Sequence, residues 1–195
     1  IEWLAQRSGL KLLNVEVNDT NGASFCCTLG RDDSSYAVNK ANIERLRNEE
    51  EMGGFSTLAP YNLFGERIKI FQRKVRNFLA DAKDAGELVL GYGASTKGNV
   101  ILQNCRISTE EMPAIAEKHP GKIGLFTPKT RIPIISEEEA RKRRPNYFFV
   151  LPWHFRDEIL KREREYLRRG GALVFPLPRF EIMRHVNRNI FAQEQ

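Results

Sequence analysis

From Glu87 to Asn99 the chain reads Glu-Leu-Val-Leu-Gly-Tyr-Gly-Ala-Ser-Thr-Lys-Gly-Asn, an apolar strand running into a glycine-bracketed turn that carries Ser95, Thr96 and Lys97. A helical pattern is expected to begin at Asn99, with Val100, Ile101 and Leu102. Strand, turn and helix in that order aim backbone N–H groups, hydroxyls and the positive end of a helix dipole at one spot, which suits a phosphate or another anion. The spacing fits neither standard motif. Gly91, Gly93 and Gly98 put the third glycine too late for the dinucleotide pattern, and Lys97 precedes the last glycine instead of following it as in a P-loop. Two roles stay open: an anion cradle in which Lys97 supplies a point charge, or a tight turn packing helix on strand with Lys97 in water.

Two more segments end strands in the same region, Leu151-Pro-Trp-His-Phe155 and Phe175-Pro-Leu-Pro178. In open parallel sheets the ligand crevice lies beyond the carboxyl ends of the strands, so these segments and the glycine turn are expected to converge on one edge. Trp153 is a candidate to stack on a base or sugar. His154 is a candidate donor to a phosphate or sugar hydroxyl, and equally a capping or core histidine. Glu158 either approaches the same edge or partners a helix dipole. The long connection from Lys118 to Pro133 carries several cations; Thr127, Lys129, Thr130 and Arg131 are placed to close over a diphosphate, or to form a plain surface loop. His119 and His185 have no partners at metal-ligand spacing, so no zinc site is expected in this chain. No Ser/His/Asp or Cys/His set is recognisable.

The elements that position these residues follow from periodicity. Residues 1–30 read as a helix, a strand over Leu12–Val17, the turn Asn18–Gly22 and a strand over Ser24–Leu29, the two strands antiparallel. Residues 31–86 form a connector: a polar stretch, some helix around Asn42–Met52, then a long helix over 61–85 with Phe64, Ile68, Phe71, Val75 and Phe78 on one stripe and Gly86 as its stop. Residues 87–195 form the second domain. Its strands are expected at Leu88–Tyr92, Pro113–Glu117, Ile132–Ile135, Tyr147–Leu151, Ala172–Phe175 and Phe180–Met183. Its helices run from Asn99 to about Cys105, from the capping box Ser136-Glu-Glu-Glu139 to before Pro145, and over Asp157–Arg169. Alternating strands and helices imply an α/β fold with a mostly parallel sheet and right-handed crossovers.

Composition narrows the function classes. Residues 1–91 carry 12 basic and 13 acidic side chains, a net −1, and residues 92–195 carry 19 and 12, a net +7, so the second half favours an anionic ligand. Much of that charge lies on Arg141–Arg144 and Lys161–Arg169, which read as solvated helix surface. Basic residues are not interleaved with aromatics on one face, so nucleic acid is not an expected partner. No run approaches the roughly 18 apolar residues of a membrane span, so no membrane partner is expected. Three cysteines offer no disulfide framework, and a cytoplasmic setting is expected. The opening helix at Ile1 lacks an initiating Met and is read as part of a longer protein.

Taken together, Tyr92–Asn99, Ile132-Pro-Ile-Ile-Ser-Glu-Glu138, Val150-Leu-Pro-Trp-His-Phe-Arg156, Arg162-Glu163 and Gly170-Gly-Ala-Leu-Val-Phe-Pro-Leu-Pro178 resemble the C-terminal domain of S-adenosylmethionine-dependent nucleotide-sugar C-methyltransferases. The resemblance covers nearly the whole chain. It implies a Rossmann-like domain that holds a nucleotide diphosphate-sugar. It also implies upstream methyltransferase and zinc-binding domains, which would carry the S-adenosylmethionine loop, the zinc cysteines and the main catalytic base. Residues 1–30 then correspond to the end of that methyltransferase domain. Carried over, Ser95, Lys97 and Asn99 map onto the glycine-turn motif and Trp153 and His154 onto the Leu-Pro-Trp-His-Phe motif; with Gly93, Ala94, Thr96, Gly98 and the loop residue Lys129 they are the substrate- and phosphate-binding candidates, and His154 is also a catalytic candidate. Two positions depart from the pattern: Lys129 replaces a glycine, and His119 stands where Asn is common. The alternative function class is a non-catalytic nucleotide- or phosphate-binding module of a different parent protein.

Overall fold

The computed structural model describes residues 1–185, and the chain forms two compact units that meet in sequence at Arg67 and Ile68. In the first unit a short helix α1 (Glu2–Arg7) leads into strands β1 (Leu10–Asn18) and β2 (Ser24–Arg31), paired antiparallel from Leu10↔Arg31 to Asn18↔Ser24 with a bulge near Leu13. Helix α2 (Lys40–Met52) follows, its first turn capped by the Asn39 side chain, which accepts from the Asn42 N–H. Ala5, Leu13, Val15 and Ile43 make its small core, while Trp3, Val17 and Phe25 stay exposed.

Helix α3 (Ala59–Asp84) carries the chain into the second unit. Its apolar stripe is buried only in its later turns: Val75, Phe78, Leu79 and Ala82 sit in the core, whereas Phe64, expected on the same stripe, is 57% exposed because it precedes the second unit. The helix closes through the Gly86 and Glu87 N–H groups, which donate to the Lys83 and Ala82 carbonyls.

The second unit holds strands β3 (Val89–Tyr92), β4 (Ile115–Glu117), β5 (Ile134–Ser136), β6 (Tyr147–Val150), β7 (Ala172–Phe175) and β8 (Glu181–Met183). The sheet order is β5-β4-β3-β6-β7-β8, with β8 alone antiparallel. That is the doubly wound order of nucleotide-binding folds, and its switch point lies between β3 and β6. Between the strands run α4 (Thr96–Asn104), α5 (Glu137–Lys142), α6 (Arg156–Arg162) and α7 (Arg164–Arg168). The residues of β6 alternate between two cores, as a strand covered on both faces must. Tyr147 and Phe149 join α3 and α4 on one side; Phe148 and Val150 meet Ile159 and Leu167 of α6 and α7 on the other.

Three expectations are corrected. The helix expected from Asn99 starts at Thr96, because the Ser95 Oγ accepts from the Gly98 N–H and makes Ser95 the cap. Gly98 looks like a helix breaker in sequence but marks close packing, since a Cβ there would lie 2.5 Å from the Leu151 Cβ. The single helix expected over Asp157–Arg169 is two, interrupted at Glu163, whose carboxylate turns into the protein. In the capping box the Ser136 Oγ accepts from the Glu139 N–H as expected, but the Glu139 side chain reaches forward to Arg143. The final residues of the expected domain, 186–195, lie outside the described residues.

Candidate functional site

The parallel strands β3, β4 and β6 end side by side, and main-chain bonds lock their ends together. The Gly93 N–H donates to the Ala116 carbonyl at 2.8 Å, and the Leu151 N–H donates to the Tyr92 carbonyl at 3.0 Å. Gly93 takes φ +76°, which favours glycine, and a Cβ there would meet the Pro152 ring at 2.8 Å. Tight apposition of the glycine turn and the Leu-Pro-Trp-His segment is therefore built into the backbone.

Beyond these ends lies a cleft of about 340 Å³. Gly93, Ala94 and Ser95 form one wall, Pro152 and Phe155 another, and Glu117, Lys118 and Lys122 the rim. Tyr92, Glu137, Glu158, Ile159 and Arg162 complete it. The dominant internal contact is the Glu117 carboxylate, 6% exposed. Its Oε2 accepts from the Ala94 N–H at 2.9 Å, and its Oε1 from the Lys118 and His119 N–H groups at 2.8 and 2.9 Å. The Lys122 ammonium lies 3.5 Å from the Oε2 and donates to the Ala94 carbonyl at 2.7 Å. Ala94 is thus clamped from both sides. Burial opposes ionisation of Glu117, but the three N–H groups and Lys122 outweigh it and hold the carboxyl below its ordinary value.

Glu117 terminates an otherwise apolar run, Ala114-Ile-Ala-Glu117, and that charged residue at a buried strand end was the available sequence signal. It ends the second strand of a strand–helix–strand unit, where dinucleotide-binding folds place an acid for a ribose hydroxyl. Here its oxygens are committed to main-chain N–H groups instead.

Charges around the cleft are largely paired. Lys122 serves Glu117, and Arg162 pairs with Glu137. Among the described residues Lys118 forms no ion pair, and it is exposed at the rim. Below the cleft floor, Glu163 is 1% exposed and accepts from the Tyr92 O–H at 2.7 Å and from Arg141 at 2.9 Å on both oxygens. Burial first, then this bond to Glu163, raises the Tyr92 phenol above its ordinary value and keeps it a neutral donor.

The remaining expected residues divide into three groups. Lys97, Trp153 and His154 cluster on the segments that flank the cleft, though none of them lines it: the Lys97 ammonium sits 5.8 Å from the Trp153 ring centroid, and the Trp153 and His154 rings are 5.6 Å apart. Trp153 packs partly against both cores. The His154 Nδ1 is buried without a hydrogen-bond partner among the described residues. Desolvation, then the Lys97 charge, lowers the His154 pKa and keeps the ring neutral. Ser95, Thr96, Gly98 and Asn99 form the first turn of α4 and its cap, with the Ser95 Oγ used in capping.

The 126–131 loop stands apart, and none of its residues lines the cleft. Thr127 is buried; its Oγ1 accepts from the Ile132 N–H at 2.8 Å and bonds Thr130. Gln103, near the end of α4, donates to the Pro128 carbonyl. Lys129 is exposed at φ +67°, so the chain keeps a glycine-like backbone with a lysine in place. His119 likewise does the work of a capping Asn, its Nδ1 accepting from the Gly121 N–H at 3.1 Å.

Among the described residues no group of three or more His, Cys, Asp or Glu is arranged to hold a metal, and no helix is long and apolar enough to cross a membrane. Comparison with known families matches residues 19–178 to the C-methyltransferase C-terminal domain. The C-methyltransferase NovU of Streptomyces niveus is 30% identical over 175 residues, covering 90% of this chain and 41% of that protein. The chain therefore spans less than half the length of this relative.

Proposed function

The chain belongs to the C-methyltransferase C-terminal domain family, and from that membership we propose that it is the nucleotide-sugar-binding portion of an S-adenosylmethionine-dependent sugar C-methyltransferase of deoxysugar biosynthesis. The observation that carries this reading is the cleft at the β3/β6 switch point. There a backbone turn, the rim cation Lys118 and the Lys97–Trp153–His154 cluster stand at one sheet edge. Lys118 and Lys97 face the diphosphate, Trp153 offers an aromatic face to the sugar or base, and the cleft walls orient the sugar, a proximity effect.

S-adenosylmethionine supplies an electrophilic methyl group when bound. The residues of this chain do not fit it: the acid at the ribose-binding position, Glu117, is already saturated by main-chain donors. The donor belongs to the preceding part of the protein, as do a zinc-binding domain and the base that removes a proton beside the sugar ketone. The exposed Trp3, Val17 and Phe25 of the first unit suit burial against the rest of a methyltransferase domain. The three free cysteines accord with a reducing, cytoplasmic setting.

The test is calorimetric titration of the full-length protein with a panel of nucleoside diphosphate-glucoses. Lys118→Ala and Lys97→Ala are each expected to weaken binding about five- to twentyfold, the range for loss of one charge-assisted contact, with unchanged urea midpoints. Wild-type affinity in both variants overturns the reading.

A further inference from the structure

A second and larger cavity, about 740 Å³, opens beside the amino ends of β6 and β7, away from the glycine turn. Four guanidiniums line it, from Arg141, Arg144, Arg162 and Arg169, against two carboxylates, Glu163 and Glu165. Its lining is therefore net positive, whereas the cations and carboxylates around the cleft balance. Three of the four arginines are engaged: Arg141 by Glu163, Arg162 by Glu137 and Arg169 by Glu165. Arg144 has no ion pair or side-chain hydrogen bond among the described residues. It sits at φ +50°, a conformation that disfavours side chains, and the following Pro145 restrains it further. Arg144 thus contributes an uncompensated guanidinium to a positively lined cavity.

The walls carry more than charge. Tyr166 is half-buried in the lining, its O–H donating to the Pro145 carbonyl at 3.0 Å, which ties the Arg144–Asn146 segment to α7. Phe148 forms the apolar base, with the Arg141 guanidinium 5.8 Å from its ring. Arginine forks match the paired oxygens of a phosphate, and an aromatic wall accepts the body that bears it.

We propose that this cavity is a second anion site, taking a small phosphate-bearing molecule between Arg144 and Arg169. The site is independent of the cleft reading, since neither arginine lines the cleft. Two sources share this chemistry, free phosphate and a phosphate carried on a small organic molecule.

The experiment titrates the full-length protein with inorganic phosphate, pyrophosphate and adenosine monophosphate by calorimetry, and maps protection by hydrogen–deuterium exchange. Saturable binding is expected, with protection in residues 141–147 and 166–172. Arg144→Gly removes the guanidinium while suiting the local φ, so it folds; it is expected to weaken binding about tenfold. Arg169→Ala is expected to do likewise, and Lys118→Ala to leave this binding unchanged. Tighter binding of the nucleotide than of phosphate upholds an organic phosphate lying on Tyr166, and equal binding upholds free phosphate. Protection confined to residues 93–95 and 117–122, non-saturating binding of all three anions, or wild-type affinity in Arg144→Gly overturns the proposal.

Discussion

Replacing Glu117 by Gln tests whether one carboxylate sets the shape of the cleft. The native side chain takes three main-chain N–H donors at 2.8–2.9 Å while almost fully buried. Gln keeps the size but has one acceptor oxygen. Placed at the Oε1 position, that oxygen still meets Lys118 and His119, while the new NH2 group faces the Ala94 N–H, donor against donor. One orphaned N–H costs about 1–3 kcal/mol, and losing the charge from the other two bonds adds roughly 1 kcal/mol. The expected loss is therefore about 2–4 kcal/mol, read from urea unfolding followed by circular dichroism. Amide exchange at Ala94 is the local readout and is expected to accelerate at least tenfold, because the Ala94 N–H loses its partner. The native contribution is also pH-dependent. A carboxyl held below its ordinary value stabilises the fold above that value and loses the contribution as pH falls. A Glu117→Gln protein within about 0.5 kcal/mol of wild type, with unchanged Ala94 exchange, refutes the argument that this carboxylate fixes the glycine turn.

The Glu111 carboxyl gives a second pH-linked test. Burial opposes its ionisation, yet Ser108 and Arg76 hold it down at about 2 against an ordinary 4.5, so its stabilisation is complete above pH 4.5 and lost on acidification toward 2. The full shift at about 1.4 kcal/mol per pH unit is an upper bound, and with solvent screening of this partly exposed pair the contribution is roughly 1–2 kcal/mol; Glu111→Gln should flatten the acid limb of stability measured by urea unfolding across that window. Lys129→Gly should stabilise by about 0.5–1 kcal/mol in thermal unfolding, because φ +67° penalises a side chain by more than glycine adds in unfolded entropy. Gly98→Ala should destabilise by about 1–3 kcal/mol, since its methyl would lie 2.5 Å from the Leu151 Cβ; a neutral effect in urea unfolding would show that α4 can shift away from β6.

The alternating strand and helix pattern from Leu88 onward, with its almost wholly apolar strands, already required a mostly parallel sheet, because such segments are covered on both faces. The gathering of the glycine turn and the Leu151–Phe155 segment on one edge followed from the same topology. Local chemistry was less legible. Gly98 reads as a boundary, yet the Ser95 cap starts α4 at Thr96 and not Asn99, and Gly98 lies inside the helix where its lack of a Cβ admits Leu151. Glu163 reads as one more residue of a charged helix, yet it breaks that helix to meet Tyr92 and Arg141, 71 and 22 residues away.

Sequence alone determined the mostly parallel α/β class and an antiparallel pair within residues 1–30, because these rest on periodicity and local turn chemistry, and its motifs by themselves carried the resemblance to the C-methyltransferase C-terminal domain. Only the tertiary structure decided who meets whom: that Glu117 fills the acceptor position at Ala94, that Lys129 keeps a glycine's backbone away from the cleft, and that four arginines from two segments, 141–144 and 162–169, share one cavity. Those pairings depend on which distant segments the sheet order brings together, and hydrogen bonds and ion pairs act over a few ångströms, which spacing along the chain does not encode.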